Sequence, residues 1–304
     1  MSISSALVAA QGRVADAYTA ISNKGGTLPA TQNLANMPTA INSIPSGGSS
    51  EKYGANVNTL LGDVNANGIL QQPTEQSDLV FTGVKDVVNR SLAYKFYYNP
   101  SINSVDMPDL ISITGMEGIQ AAFQASGISS FTANKLKTIT GDSNNNVFFN
   151  CINLTSVSVS ELETIYVTQG WFNGCSSLAY IYFPKLKAIT GNNGFSNMFG
   201  NSGIKTVEFQ LLNSINNTDI MSYSFANCRN IENIYFHSLT TTSFGNYNSQ
   251  FNDMFDSNTA STSGAITMHF PSNLSNTIAR LTGYPNFGAT AGRLPLAFDL
   301  PATE

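Results

Sequence analysis

The feature that most constrains this chain is a pair of apolar residues, two positions apart, that returns at nearly constant spacing. The pairs are Val105/Met107, Phe131/Ala133, Val157/Val159, Ile181/Phe183, Val207/Phe209, Ile234/Phe236 and Met268/Phe270, and the steps are 26, 26, 24, 26, 27 and 34 residues. Residues at i and i+2 point to the same side of a strand, so each pair marks a strand facing a core. One copy cannot bury its apolar edge alone, whereas stacked copies bury each other's, which is the logic of a solenoid. The spacing predicts parallel strands in register from residue 105 to residue 209 at least, with Val157 and Val207 in one sheet.

Around each pair the phrase is F-x-x-C/S-x-x-L/I-x-x-V/I-x-V/F-x-x-L, as in "FFNCINLTSVSVSEL", "FNGCSSLAYIYFPKL" and "FGNSGIKTVEFQLL". The aliphatic residues three before and three after the pair turn corners inward. "IT-G" follows in several copies, at Ile139-Thr140-Gly141 and Ile189-Thr190-Gly191. The three cysteines, Cys151, Cys175 and Cys228, all fall three positions after the Phe, where other copies carry Ser. They read as small buried fillers of one repeated slot, since free Cys packs as a small hydrophobe. Their odd number and their spacing fit neither a closed disulfide framework nor a zinc ligand set.

On these residues the stretch 96–274 resembles the BspA-like leucine-rich repeats of bacterial surface antigens. Pro184 and Pro271 fall on the closing Pro of that family's phrase, and the 34-residue step holds an insertion, "NYNSQFNDMFDSNTASTSG". The resemblance implies an α/β repeat, a leucine-rich-repeat solenoid with a parallel β-ladder, and a role in binding and adhesion rather than catalysis.

The N-terminus has a different character. Ile3, Leu7, Ala10, Val14, Ala17 and Ile21 stand at alternating steps of 4 and 3, the narrow seam of a coiled coil. "NKGG" stops that helix, a second short helix carries Leu34, Met37, Ile41 and Ile44, and "PSGGSS" reads as a flexible linker. The segment "RVADAYTAISNKGGTLPATQNLANMPTAINSIP" resembles an N-terminal module of bacteriophage tail and virion structural proteins. The domain reading is a helical anchor at 1–46, a linker at 47–51, an N-terminal cap at 52–95, the solenoid at 96–274 and a C-terminal cap at 275–304. "DLVFTGVKDVV" and "LPLAFDL" are the capping strands.

Composition narrows the partners. Only 11% of residues are charged and the net charge is -5, so the electrostatic component of nucleic-acid binding is missing. No apolar run reaches the roughly 20 residues that cross a bilayer. No positive n-region precedes "ISSALVAA", so no secretory signal is read. "GDVNANG" places Asp63, Asn65 and Asn67 at positions 1, 3 and 5 of a calcium-type loop, but Thr74 stands where the bidentate Glu belongs, and an Asn-Gly turn is the plainer reading. No motif asks for a metal, a cofactor or a catalytic group, and Trp171 reads as core.

Each pair leaves two outward positions. Adjacent copies would bring Tyr180, Tyr182, Glu208 and Tyr235 into one aromatic and polar patch, since strands stack about 4.8 Å apart. Together these features predict a bacteriophage virion protein on the capsid or tail surface. Its N-terminus would join other virion proteins or form a homo-oligomer such as a trimer, and its repeats would attach to a host surface protein or glycan. A bacterial cell-surface adhesin and a purely structural virion decoration are the alternatives.

Overall fold

The structure, a computed structural model, describes residues 50–53, 75–243, 251, 253–255, 266–275 and 296–303. The seam from Ile3 to Ile21, with the whole anchor 1–46, and the Asp63, Asn65 and Asn67 loop lie outside the described residues. In chain order the first strands are β1 (Ser50–Tyr53), β2 (Ser77–Phe81), β3 (Asp86–Val87), β4 (Ile102–Asp106), β5 (Ser112–Ile113), β6 (Ser130–Thr132), β7 (Thr138–Ile139) and β8 (Ser156–Ser158). Then follow β9 (Thr164–Ile165), β10 (Tyr180–Phe183), β11 (Ala188–Ile189), β12 (Thr206–Phe209), β13 (Asn233–Phe236), β14 (Thr267–Pro271) and β15 (Leu296–Leu300).

These strands form a parallel β-solenoid. The apolar pairs build a front ladder in which Val105 faces Phe131 and Phe131 faces Val157. Further on, Ile181, Val207, Ile234 and Met268 stand opposite one another in the same way. The ladder also runs outward at both ends: Leu79 pairs with Val105 and β2 with β1, and β15, within "LPLAFDL", pairs with β14. The aliphatic corner residues before and after each pair, such as Leu154, Leu178, Leu162 and Leu186, are buried.

The expectation of one unbroken front ladder is corrected. β8 closes one five-stranded sheet and β10 opens another, so Val157 and Val207 lie in separate sheets. The break falls at the shortest step of the repeat, 24 residues. The shortening sits behind the front: Phe148 follows Ile139 by nine positions and Phe199 follows Ile189 by ten, but Phe172 follows Ile165 by only seven. A coil short on one side cannot hold every side in register. The other two sides stay paired, and the front ladder opens.

Those two sides were not read from the sequence. One is a second ladder of two-residue strands, β3, β5, β7, β9 and β11, whose Val87, Ile113, Ile139, Ile165 and Ile189 are buried in line. The "IT-G" phrase marks its exit. A Cβ on Gly141 would lie 2.0 Å from the Gly115 carbonyl oxygen, and one on Gly115 would lie 1.8 Å from the Asn89 nitrogen, so these two coils admit no side chain at the corner where others carry Asn89 and Val167. The other side is a ribbon of turns. Within it Ser91, Ala93 and Lys95 donate N–H to the carbonyl three residues back, while Leu92, Tyr94 and Phe96 donate to Gly118, Gln120 and Ala122 of the next coil.

The ribbon corrects the α/β description of the repeat: among the described residues, the segment joining the strands of a coil is turn rather than α-helix. Residues about four apart take positive φ, among them Asn193 (55°), Asn197 (53°) and Asn201 (55°). A helix needs an uninterrupted right-handed run, and Asn is the non-glycine residue that most readily leaves it.

Inside, the Phe of the phrase forms a column. Phe96, Phe123, Phe148, Phe172, Phe199, Phe225 and Phe255 stack in succession with ring centroids 5.3 to 5.7 Å apart. A second column, Phe183, Phe209, Phe236, Phe270 and Phe298, runs behind the C-terminal half of the front ladder at 5.2 to 5.9 Å. Such offset stacks add to burial itself. Trp171 is buried and its indole N–H donates to the Asn144 carbonyl.

The cysteine slot is as the repeat requires. Cys151, Cys175 and Cys228 are buried free thiols. Their Sγ atoms donate to the carbonyls of Phe123, Phe148 and Phe199 in the preceding coils, at 2.9, 3.1 and 2.7 Å. Ser126 and Ser202 occupy the same slot one coil earlier than Cys151 and Cys228.

Two outcomes are expected. Phe172→Ala, which breaks the first column in its middle, should destabilise the solenoid by about 3–5 kcal/mol in urea unfolding. Burial pushes the thiols of Cys151 and Cys228 up to about 11 from an ordinary 9.0, and that of Cys175 up as well. The unfolded chain releases these protons first, so stability contributed by the protonated thiols is full below pH ~9 and falls as pH rises toward ~11, by up to about 1.4 kcal/mol per thiol per unit. Unfolding of the wild type between pH 8 and 11 should therefore show a steeper loss than the Cys151→Ser, Cys175→Ser, Cys228→Ser variant; equal slopes would contradict thiol burial.

Candidate ligand-binding face

Strand alternation decides what the front ladder shows to solvent. In β10, Ile181 and Phe183 point inward while Tyr180 and Tyr182 remain 51% and 38% exposed. Register then carries the pattern across coils. Tyr182 stands opposite Glu208, Glu208 opposite Tyr235, and Tyr235 opposite His269. A parallel row runs through Tyr180, Thr206, Asn233 and Thr267. All four residues named from the sequence therefore sit on one face of one sheet.

Their contacts organise the face. The Tyr180 hydroxyl donates to one carboxylate oxygen of Glu208 at 3.2 Å, and His237 Nε2 lies 3.0 Å from the other. Partial burial, with the Glu208 charge second, raises the Tyr180 phenol above its ordinary range. The Tyr235 ring stacks on His269 with centroids 4.2 Å apart and planes within 13°. His269 is itself held at both nitrogens: Nδ1 lies 2.9 Å from an Asp299 oxygen and Nε2 3.2 Å from Asn233 Oδ1. The face thus offers two exposed phenol rings beside a fixed carboxylate, and a stacked aromatic pair whose imidazole is held at both nitrogens.

Sequence reasoning missed His237, Asn233, His269 and Asp299 as members. Asn233 and His269 occupy the outward positions of their copies, so alternation alone could have extended the patch to them. Asp299 joins through β15, whose register with β14 shifts between His269 and Pro271. The open junction between β8 and β10 was also missed. It borders the face as a cleft of about 280 Å³ lined by Ser156, Ser158, Tyr180, Tyr182 and Pro184. Among the described residues, no group of three or more His, Cys, Asp or Glu is placed to hold a metal ion. None of their helices is long and apolar enough to cross a membrane.

Comparison with known families bears on the same coils. A model of the BspA-type leucine-rich-repeat region, in six copies, matches residues 90–217 and 142–276. The chain belongs to the BspA-type leucine-rich-repeat family. No curated protein matches the chain. The matched span begins before Phe96 and ends after Phe270, so the BspA-type repeats contain most of both phenylalanine columns and, in β10 to β14, nearly all of the face. Asp299 alone of the contacts above lies beyond it.

Glu208 is the hub of the Tyr180 end. Glu208→Gln removes the charge and keeps the shape, so the Tyr180 phenol should ionise at lower pH than in the wild type. Carbon-detected NMR titration of ring-labelled tyrosine reads this directly, and an unchanged Tyr180 titration would show that the carboxylate does not act on it.

Proposed function

We propose that this BspA-type protein is a surface-recognition protein, an adhesin of the leucine-rich-repeat type, which holds a cell-surface glycan or protein against the outer face of β10, β12, β13 and β14. The observation that carries the reading is the in-register row Tyr182, Glu208, Tyr235 and His269 with exposed Tyr180 beside it. Rigid tyrosine rings supply contact area at little cost in side-chain freedom, and they are common anchors where partners bind. The surrounding carboxylate, imidazoles and amide fix orientation. The face is the outer side of a sheet spread over four strands, which suits an extended partner better than the enclosure that catalysis of a small substrate requires. Binding without catalysis is therefore the reading adopted.

The sequence alone favoured a virion protein. That reading rests on residues 1–46 and their resemblance to a phage module, and it gains no support from the family match, which falls on the repeats and suits the adhesin alternative better. Oligomerisation through the seam from Ile3 to Ile21 belongs to the same proposal; self-association would raise the avidity of weak single contacts.

The test is adsorption of full-length protein to host-cell envelope fractions and to a glycan array. Binding should fall by at least about tenfold in Tyr180→Ala/Tyr235→Ala, the scale of about 1.4 kcal/mol expected when anchor residues are truncated. Binding that survives this double substitution would place recognition elsewhere. Immunogold labelling separates the adhesin from the virion protein, as label on cells or on particles.

A further inference from the structure

We infer that the flank of the shortest coil holds a second binding site, for a neutral saccharide unit, separate from the front face. Its origin is a length change. The ribbon of the preceding coil carries positive φ at Ser143, Asn146 and Asn150, and that of the following coil at Asn193, Asn197 and Asn201. The short coil between them has such positions only at Gly170 and Gly174. One turn of ribbon is missing where its neighbours have one.

The missing turn coincides with a cleft of about 440 Å³ between the flanking coils. Its walls include Asp142 and Asn145 from the coil before, Tyr166 and Gln169 from the short coil, and Asn192 and Asn217 from the coils after. The volume lies within the range of about 300–1,000 Å³ usual for small-molecule sites. Tyr166 lines the cleft and is 41% exposed.

The chemistry of the walls selects the ligand. Asn145 Oδ1 accepts the Gln169 N–H at 3.0 Å, which leaves the Asn145 amino group as a donor. Asn217 Nδ2 donates to the Thr190 carbonyl, which leaves its Oδ1 as an acceptor. Asp142 Oδ1 accepts the Ser143 N–H at 2.7 Å and keeps its second oxygen. Amide pairs of this kind serve hydroxyl groups, each of which both donates and accepts. A phosphate or carboxylate ligand would face Asp142 with no Lys or Arg in the lining. A divalent cation would find one carboxylate, short of the oxygen-rich cage it needs. An apolar ligand would leave the amides desolvated and unpaired. A polyhydroxylated ring, with hydroxyls for the amides and for Asp142, satisfies all of these conditions.

The test uses the full chain and three neutral probes: maltotriose, cellotriose and N,N′-diacetylchitobiose. Saturation-transfer NMR should detect at least one of them, and titration should show its affinity falling about tenfold or more in Tyr166→Ala and in Asn192→Ala. Circular dichroism of both variants should match the wild type, since both positions line open space. The same affinity should be unchanged in Tyr180→Ala/Tyr235→Ala, which separates this site from the front face. Binding of none of the three, or binding lost with Tyr180 and Tyr235 but kept without Tyr166, overturns the inference and leaves the adhesin reading to its own test.

Discussion

Everything in this solenoid depends on burial between coils rather than within them. A single coil of about 26 residues has the Phe of the phrase, one small slot residue and a few aliphatic corners pointing inward, with nothing of its own to cover them. The covering comes from the next coil. Phe172 lies between Phe148 and Phe199, with stacked rings on both sides. The Cys175 thiol donates to the carbonyl of Phe148 itself, so slot and column bind the same neighbour. Stability in such an array is a sum over junctions, and each junction is an interface between adjacent coils.

Much of the front of the molecule was legible in the sequence because its signals are long and redundant. The pair Ile181/Phe183, its corner residues Leu178 and Leu186 and its Cys175 all state one register, and the same statement is repeated down the chain. The second ladder was not legible, because strands such as Thr138–Ile139 are too short to alternate; their only mark was the "IT-G" phrase, whose Ile139 and Ile189 close β7 and β11. The turn ribbon was hidden for another reason. Its conformation lives in single residues such as Asn146 and Asn150, and an asparagine does not announce a positive φ. The open junction is a relation between Ser-bearing β8 and Tyr-bearing β10, and the 24-residue step hinted at it without saying which side of the coil would yield.

The candidate face followed the same division. Tyr180, Tyr182, Glu208 and Tyr235 could be placed together because alternation and period suffice to do so. His237 and Asp299 required contacts: the imidazole that shares Glu208 with Tyr180, and a strand nearly thirty residues beyond β14's own histidine. The face is therefore assembled from several coils, and no copy contains it alone. That is how a repeat whose copies look alike inside can present a surface that is not repetitive outside.

The open junction also has a mechanical consequence. From β2 to β8 and from β10 to β12 a coil is tied to its neighbour along the front ladder as well as behind it. Between β8 and β10 the backbone ties that remain lie behind the front, among them β9 with β11 and the ribbon bonds from Asn146, Phe148 and Asn150 to Gln169, Trp171 and Asn173. Stiffness at that point is borne off-centre. A load drawn along the axis would bend the rod there before it bent elsewhere, with the front opening and the back acting as the hinge line. Bending at that junction would come at the rim of the tyrosine face.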